Sequence, residues 1–310
     1  MKKTTIALLT AAAMGTSGAV VAANHGPEFS GRVNVDIRNV SGEDTEFTTG
    51  NPDRLEINGG GDLVGGLTGT YFVRFQADDI DDASQNISTT LVNYTISGDF
   101  GAVTVGRDDD LVYKFVGVRT DIPNSNLGGV PAAFKSSDYT ESSDNSLQYQ
   151  LSVDALTFGA YVDTGAVATG IDDGEFKFGD ASGFNNYQLG VTYDFGMGSA
   201  GLVYSDSDEA TVGESELAFG VSATVADVSL AGVYYDDAQG NNPFSLFAGM
   251  PLQGGLFAYA AYGDDDVVRD DFLVGVSADL GGGFVTYVEY QDDLDGDGQN
   301  GVVLGSQFNF

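Results

Sequence analysis

Arg32, Arg54 and Arg74 are the side chains of this sequence best placed to act by charge. Basic residues are scarce: 310 residues contain twelve Lys and Arg. Lys2 and Lys3 open the chain. Eight more fall between residues 32 and 135 (Arg32, Arg38, Arg54, Arg74, Arg107, Lys114, Arg119 and Lys135), and only Lys177 and Arg269 follow. Arg32, Arg54 and Arg74 each occupy the polar side of a stretch in which apolar and polar residues alternate. Arg107 leads directly into Asp108, Asp109 and Asp110, and the same connector later carries Asp121, Asp138 and Glu141. A guanidinium stays charged at any working pH, and neighbouring strands lie ~4.8 Å apart, so arginines on adjacent strands can form one basic wall. We take Arg32, Arg38, Arg54, Arg74 and Arg107 as its members and Asp108, Asp109, Asp110 and Asp121 as the facing acids. Opposed across water, they would set up a transverse field that favours dipolar over apolar solutes. The competing reading is a set of ordinary ion pairs with neighbours such as Asp36 and Glu56, since like charges on adjacent strands are costly unless opposed.

Catalysis finds little to work with. The only histidine, His25, lies beside the predicted cleavage point, which argues against a His-based triad or a His-ligated metal, and without cysteine there is no thiolate nucleophile or Cys-ligated metal. Gly-rich "GGGDLVGG" at 59–66 is followed by no helical pattern and is a turn rather than a phosphate cradle. Asp293, Asp295, Asp297 and Gly298 match the opening of a calcium loop, but position twelve is Leu304 where a bidentate Glu belongs. An acidic hairpin is the expectation there, with Ca2+ as the alternative and no other cofactor indicated.

The elements that must hold these residues are strands. In Phe29–Arg38 the odd positions are Phe, Gly, Val, Val and Ile, and the even ones Ser, Arg, Asn, Asp and Arg. The same two-residue period recurs in Leu147–Val153, Tyr187–Phe195, Leu217–Val225, Phe272–Leu280 and the last ten residues, "GVVLGSQFNF". Sixteen segments can be drawn: 28–39, 53–62, 67–77, 88–98, 100–107, 144–153, 154–163, 183–195, 197–206, 214–225, 226–236, 243–251, 254–263, 269–280, 283–292 and 300–310. Those at 226–236, 243–251 and 254–263 alternate poorly. Short Gly- and Asp-containing turns take turns with longer acidic loops, the arrangement of a spanning barrel with short turns on one rim and long loops on the other. A sixteen-stranded closed sheet is too wide for side chains to fill, so its inward parity should be polar throughout. Arg32, Asn34, Asp36, Arg54, Glu56, Asn58, Gln148, Gln150, Gln188, Thr192, Gln307 and Asn309 satisfy that expectation. Fifteen Tyr and 20 Phe would supply interfacial girdles. Alternation alone is shared with a soluble β-sandwich.

Charge and leader narrow the setting. Lys2 and Lys3, the apolar run Ile6–Val21 and the small residues before Asn24 read as an export signal spanning 1–23, leaving one domain from 24 to 310. A formal charge of −34 excludes nucleic acid as a phosphate-contacting partner and would attract cations. No run of ~18 apolar residues follows the leader, so any membrane crossing must use strands.

Four stretches resemble the Gram-negative general porins: "PEFSGRVNVD" in the first strand, "GAVTVGRDDD" at 101–110, "DNSLQYQL" at 144–151, and the alternating end with Phe310. The resemblance implies an antiparallel, sixteen-stranded transmembrane β-barrel in the outer membrane whose long third loop, here 108–143, folds inward and narrows the pore. It also implies a homotrimer in contact with outer-membrane lipids and lipopolysaccharide, passing ions and small hydrophilic solutes, and no enzymatic activity. The acidic loops add an expectation of cation preference. The rivals are a secreted β-sandwich or Ca2+-binding adhesin, a solute-specific outer-membrane channel, and an enzyme built on a barrel.

Overall fold

The computed structural model describes residues 25–42, 44–49, 52–77, 87–121, 142–163, 171–172, 175–176, 186–207, 215–236, 242–264, 270–293 and 300–310. Sixteen antiparallel strands form one closed ring. They are β1 (His25–Val40), β2 (Asp53–Asp62), β3 (Thr68–Ala77), β4 (Ser88–Gly98), β5 (Gly101–Asp109), β6 (Ser142–Val153), β7 (Leu156–Asp163) and β8 (Asn186–Asp194). The second half is β9 (Gly198–Ser207), β10 (Glu216–Val225), β11 (Val228–Asp236), β12 (Phe244–Pro251), β13 (Leu256–Asp264), β14 (Asp270–Gly281), β15 (Phe284–Asp293) and β16 (Gly301–Asn309). Each pairs with the next in the chain, and β16 pairs with β1 from Arg32↔Asn309 to Val40↔Gly301. The last residue is part of this closure: Gly31 N–H donates to Phe310 O at 3.0 Å, and Phe310 N–H to Gly31 O at 3.1 Å. A short strand, Glu46–Thr48, adds to β1 beside Asp36–Arg38, and Ile171–Asp172 pairs with Glu175–Phe176 in a separate small hairpin.

Local chemistry explains the tight turns. Between Val225 and Val228 only Ala226 and Asp227 intervene, both at positive φ (50° and 69°). Two left-handed residues match the right-handed twist of the strands they join, which is why such turns dominate hairpins.

The two parities of the wall differ as the alternation demands. Outward residues such as Val33, Val35, Ile37, Leu189, Leu202, Phe219, Leu246, Val302 and Leu304 are exposed, while inward Asn34, Asp36, Gln148, Gln188 and Glu289 are buried. Apolar outside and polar inside is the reverse of a water-soluble protein, and the ring leaves no open edge that lipid would have to satisfy. The soluble β-sandwich is thereby excluded. No helix among the described residues is long and apolar enough to cross a membrane; the crossing belongs to the strands.

Two expectations need correction. β5 runs to Asp109 and β6 starts at Ser142, so each strand extends two residues into the stretch read as loop. The inward parity is not polar throughout. From β11 to β14 it carries Ala231, Val233, Tyr235, Phe247, Tyr259, Ala261 and Leu273, all buried. Val233 and Tyr235 pack with residues that follow β5, and Phe247 and Tyr259 stack at 6.2 Å between centroids. This sector of the lumen wall meets protein rather than water, so nothing selects for polar side chains.

Candidate functional site

The basic wall lies on β1, β2 and β3. Arg32 and Arg54 are direct cross-strand partners, and Glu56 stands opposite Arg74. Two like charges face to face are destabilising, and Glu56 offsets them. Its Oε1 lies 3.3 Å from Arg54 Nε and 2.9 Å from Arg74 Nε. Arg32 donates from Nε and Nη2 to Pro52 O at 3.3 and 3.2 Å, which fixes its guanidinium on the wall without neutralising it. Arg74 also covers the Phe72 ring at 5.5 Å, a favourable cation–π placement. The side chains of Arg54 and Arg74 remain 32% and 22% exposed, so this sector of the lumen is wet. Two of the three guanidiniums thus share one wall carboxylate, and the third is held by a backbone carbonyl.

The ion-pair reading is half right. Arg54 and Arg74 do use Glu56, whereas Asp36 turns away. Tyr287 O–H donates to Asp36 Oδ1 at 2.5 Å and accepts from Asn34 Nδ2 at 2.7 Å. Tyr287 reaches Asp36 by lying flat over Gly305, the residue between them in the ladder. Tyr259 lies over Gly275 to donate to Glu289 in the same way. Both tyrosine bridges secure the wall on the closing side of the ring.

Not every predicted arginine joins the cluster. Arg38 pairs with Glu46 at 2.6 Å, beside the short added strand. Arg107 stands opposite Val92, on the exposed outward parity, and donates from Nη1 to Thr89 O. The register shifts between Gly106 and Asp108, and Gly106 has φ +122°. Counting by two from outward Val105 already puts Arg107 on this face; only its place ahead of the acidic connector suggests a role in the wall.

Beyond β5 the chain turns onto the inner wall. Asp110 caps a short helix, α1 (Leu111–Phe115), its Oδ1 accepting from Tyr113 N–H at 2.7 Å. Gln188 of β8 holds the same end. Its Oε1 accepts from Leu111 N at 2.8 Å and Val112 N at 3.3 Å, and its Nε2 donates to Asp110 Oδ2 at 2.8 Å. Helix N-termini leave such donors orphaned, and here a strand residue satisfies two of them. Lys114 donates to Asp108 Oδ2 at 2.6 Å and to Gln148 Oε1 at 2.9 Å, while Gln148 Nε2 returns a bond to Asp109 O at 2.7 Å. A 3-10 turn, Gly117–Arg119, follows. Arg119 donates to Phe115 O and, from Nη2, to Ser199 Oγ at 3.2 Å. Burial lowers its pKa to about 10, so it keeps its charge at neutral pH.

The four predicted loop acids therefore have different fates. Asp108 is matched by Lys114 and Asp110 is spent on the helix cap. Asp121, which accepts from Tyr113 O–H at 2.7 Å, lies within the field of Arg32, and Asp109 within the field of Arg74 and Lys114. Asp138, Glu141, Lys135, Asp295 and Asp297 lie outside the described residues, as does the side chain of Asp293. Among the described residues no group of three or more His, Cys, Asp or Glu could hold a metal ion.

Sequence reasoning placed Gln148 and Gln188 on the inner face but missed their task as anchors. It also missed Gly159, Gly190, Gly201 and Gly220, which lie against residues 111–119. Four glycines at inward positions of consecutive strands are a signal that position counting could have found.

A profile described as Gram-negative porin matches residues 8–298. The fold is similar to that of Salmonella typhi OmpF in complex with daunomycin, at a TM-score of 0.73 and 15% identity over 93% of this chain and 98% of that one. An anion-selective porin from Comamonas acidovorans aligns at 0.73 and 18% identity, covering 92% and 99%. A loop-deletion mutant of Vibrio cholerae OmpT aligns at 0.68 and 14% identity, covering 92% and 99%. No curated protein matches the chain.

Proposed function

The chain belongs to the Gram-negative porin family, and from that premise we propose that it passes ions and small hydrophilic solutes passively along a lane between two charged banks, with cations preferred. One bank is Arg32, Arg54 and Arg74; the other is Asp109 and Asp121. The observation that carries this reading is the placement of Asp121, at the end of a segment docked on the inner wall, in the field of Arg32. A water-filled lane with opposite charges across it aligns water and dipolar solutes and resists apolar ones. In this reading the connector between β5 and β6 acts as the constriction loop, and 1–23 is the export signal.

Cation preference rests on the sum of charges. Two of the three wall arginines share Glu56 and the wall is opposed by two carboxylates, while the chain as a whole carries −34. Such an excess raises the local cation concentration at the mouths. Fold alone does not set the sign, as the anion-selective Comamonas porin has a similar barrel. Reversal potentials in planar bilayers under a salt gradient test it: a cation-selective sign is expected, and an anion-selective sign overturns it. A homotrimer seated among outer-membrane lipids and lipopolysaccharide completes the proposal, and chemical cross-linking in isolated outer membranes should give a three-chain species. The reading requires no cofactor and leaves Ca2+ at Asp293–Asp297 as a loop property apart from conduction.

A further inference from the structure

We propose that Gly159, Gly190, Gly201 and Gly220 are positioning residues whose bare inner faces form a seat, and that the depth of this seat sets how far residues 111–119 stand into the lumen. The inference rests on the channel reading for its consequence, though not for its geometry. The four glycines lie on four consecutive strands, β7 to β10. Gly159 and Gly190 are direct partners, as are Gly201 and Gly220. None has positive φ, so the backbone itself would accept any L-residue at these positions. Glycine inside a strand weakens it and often marks close approach of another backbone.

The approach is visible at each position. A Cβ on Gly159 would stand 2.9 Å from both Leu111 Cδ2 and the Phe115 ring. One on Gly190 would stand 2.8 Å from Phe115 Cδ2, and one on Gly220 3.0 Å from Arg119 Cδ and 3.2 Å from Val116 Cγ1. Gly201 is the tightest, because its added Cβ would collide with the carbonyl of Phe115, the group that also accepts from Arg119. At the other three the neighbours are side chains, except that Val116 O also lies 3.2 Å from Gly220. Around the seat, Leu111, Val112, Phe115 and Val116 pack with Tyr161, Val203, Ala218, Val233 and Tyr235 in one buried cluster. Close-packed interiors do not absorb an extra methyl group without movement. The wall is a continuous hydrogen-bonded ring and the segment is not, so the segment is the part that moves. It moves toward the lumen, and Asp121 at its end moves relative to Arg32.

Single-channel conductance of G201A, G220A and G232A tests this. Gly232 is an outward glycine of the same barrel whose Cβ would meet only Leu246 at 3.1 Å and Ser245 O at 3.8 Å. Conductance should fall in G201A, fall less in G220A, and stay at the wild-type value in G232A, with heat-modifiable electrophoretic mobility confirming a folded barrel in each. An unchanged or raised conductance in folded G201A overturns the proposal. Should G201A fail to fold, a V116C/G220C pair decides. The chain has no cysteine of its own, and a Val116 methyl 3.2 Å from a Cβ on Gly220 brings the two positions close to the ~3.5–4.5 Å Cβ separation of a disulfide. Formation of that bond without loss of barrel mobility supports the seat, and its failure to form in a folded barrel overturns it. The cross-link needs no current, so a wild-type protein that does not conduct would sink the channel reading while leaving the seat to this second measurement.

Discussion

The inner faces of β1–β3 and of β7–β10 belong to the same sheet and are built on opposite principles. The first carries long charged side chains, Arg32, Arg54, Arg74 and Glu56, held partly in water by few partners. The second carries Gly159, Gly190, Gly201 and Gly220 ringed by buried Tyr161, Val203 and Ala218, and is covered by residues 111–119. Neither sector could do the work of the other. Charges under a docked segment would lose their hydration, a cost of several kcal/mol per ion. A bare glycine face left in water would gain nothing from its flatness. The lesson is that the lumen of this barrel is no uniform lining. One sector carries partly exposed charges, and another is flat, apolar and covered by the segment that ends near Asp121.

The largest way to break the contrast is to discharge the wet sector. Replacing Arg32, Arg54 and Arg74 together with Gln leaves Glu56 without a guanidinium partner. A unit charge ~4 Å away is worth about 1 kcal/mol in a water-like dielectric, roughly fivefold in relative permeability. The triple variant should therefore become several-fold more cation-selective, read as a shift in reversal potential, with the barrel intact. An unchanged potential would mean that the arginines are structural and that the field has another source.

A smaller effect is expected from the dry sector. Gln188→Ala removes the acceptor of Leu111 and Val112 N–H and the donor to Asp110. Buried donors left unsatisfied cost about 1–3 kcal/mol, borne locally by the start of α1. Barrel mobility should be retained while protease cleavage between Asp110 and Arg119 and current noise both rise. A quiet, resistant Q188A would show that the glycine seat and Arg119 suffice to hold the segment.

These contrasts also show what the sequence could disclose. Alternation is plain where the inner parity is polar, as in Arg32–Asn34–Asp36 or Gln307–Asn309, because the two faces then differ in kind. It fades at 226–236, 243–251 and 254–263, where Val233, Phe247 and Tyr259 face inward yet are covered, so both faces are apolar and the period disappears. Arg54, Arg74 and Glu56 could be placed on one side of the wall, but their shared pairing depends on the Glu56↔Arg74 register, which the intervening turn fixes. Arg107 shares the parity of outward Val105, so the alternation itself argued against a place on the wall and only its position before the acidic connector argued for one. The seat was hidden for a different reason. A glycine reads locally as a turn or a weak strand position, and its use here depends on a segment some forty to a hundred residues earlier in the chain.

The smallest expected effect gives the sharpest test of whether sectors matter at all. Arg38 shares the inner parity of β1 with mid-strand Arg32 and carries the same charge, but it lies near the C-terminal end of the strand and is paired at 2.6 Å with Glu46, the two side chains being 32% and 40% exposed. Exposed pairs of this kind contribute about 0–1 kcal/mol, and a cation beside its own counter-ion adds little field at a distance. Arg38→Gln should leave both barrel stability and reversal potential at wild-type values, whereas Arg54→Gln alone should move the potential toward cations, because Glu56 would then be shared by fewer charges. If the two single variants shift the potential equally, selectivity follows the summed charge of the interior and the division into sectors has no bearing on ions. If only Arg54→Gln shifts it, the field is local to the three-strand wall, and what matters about an arginine in this lumen is the sector it stands in.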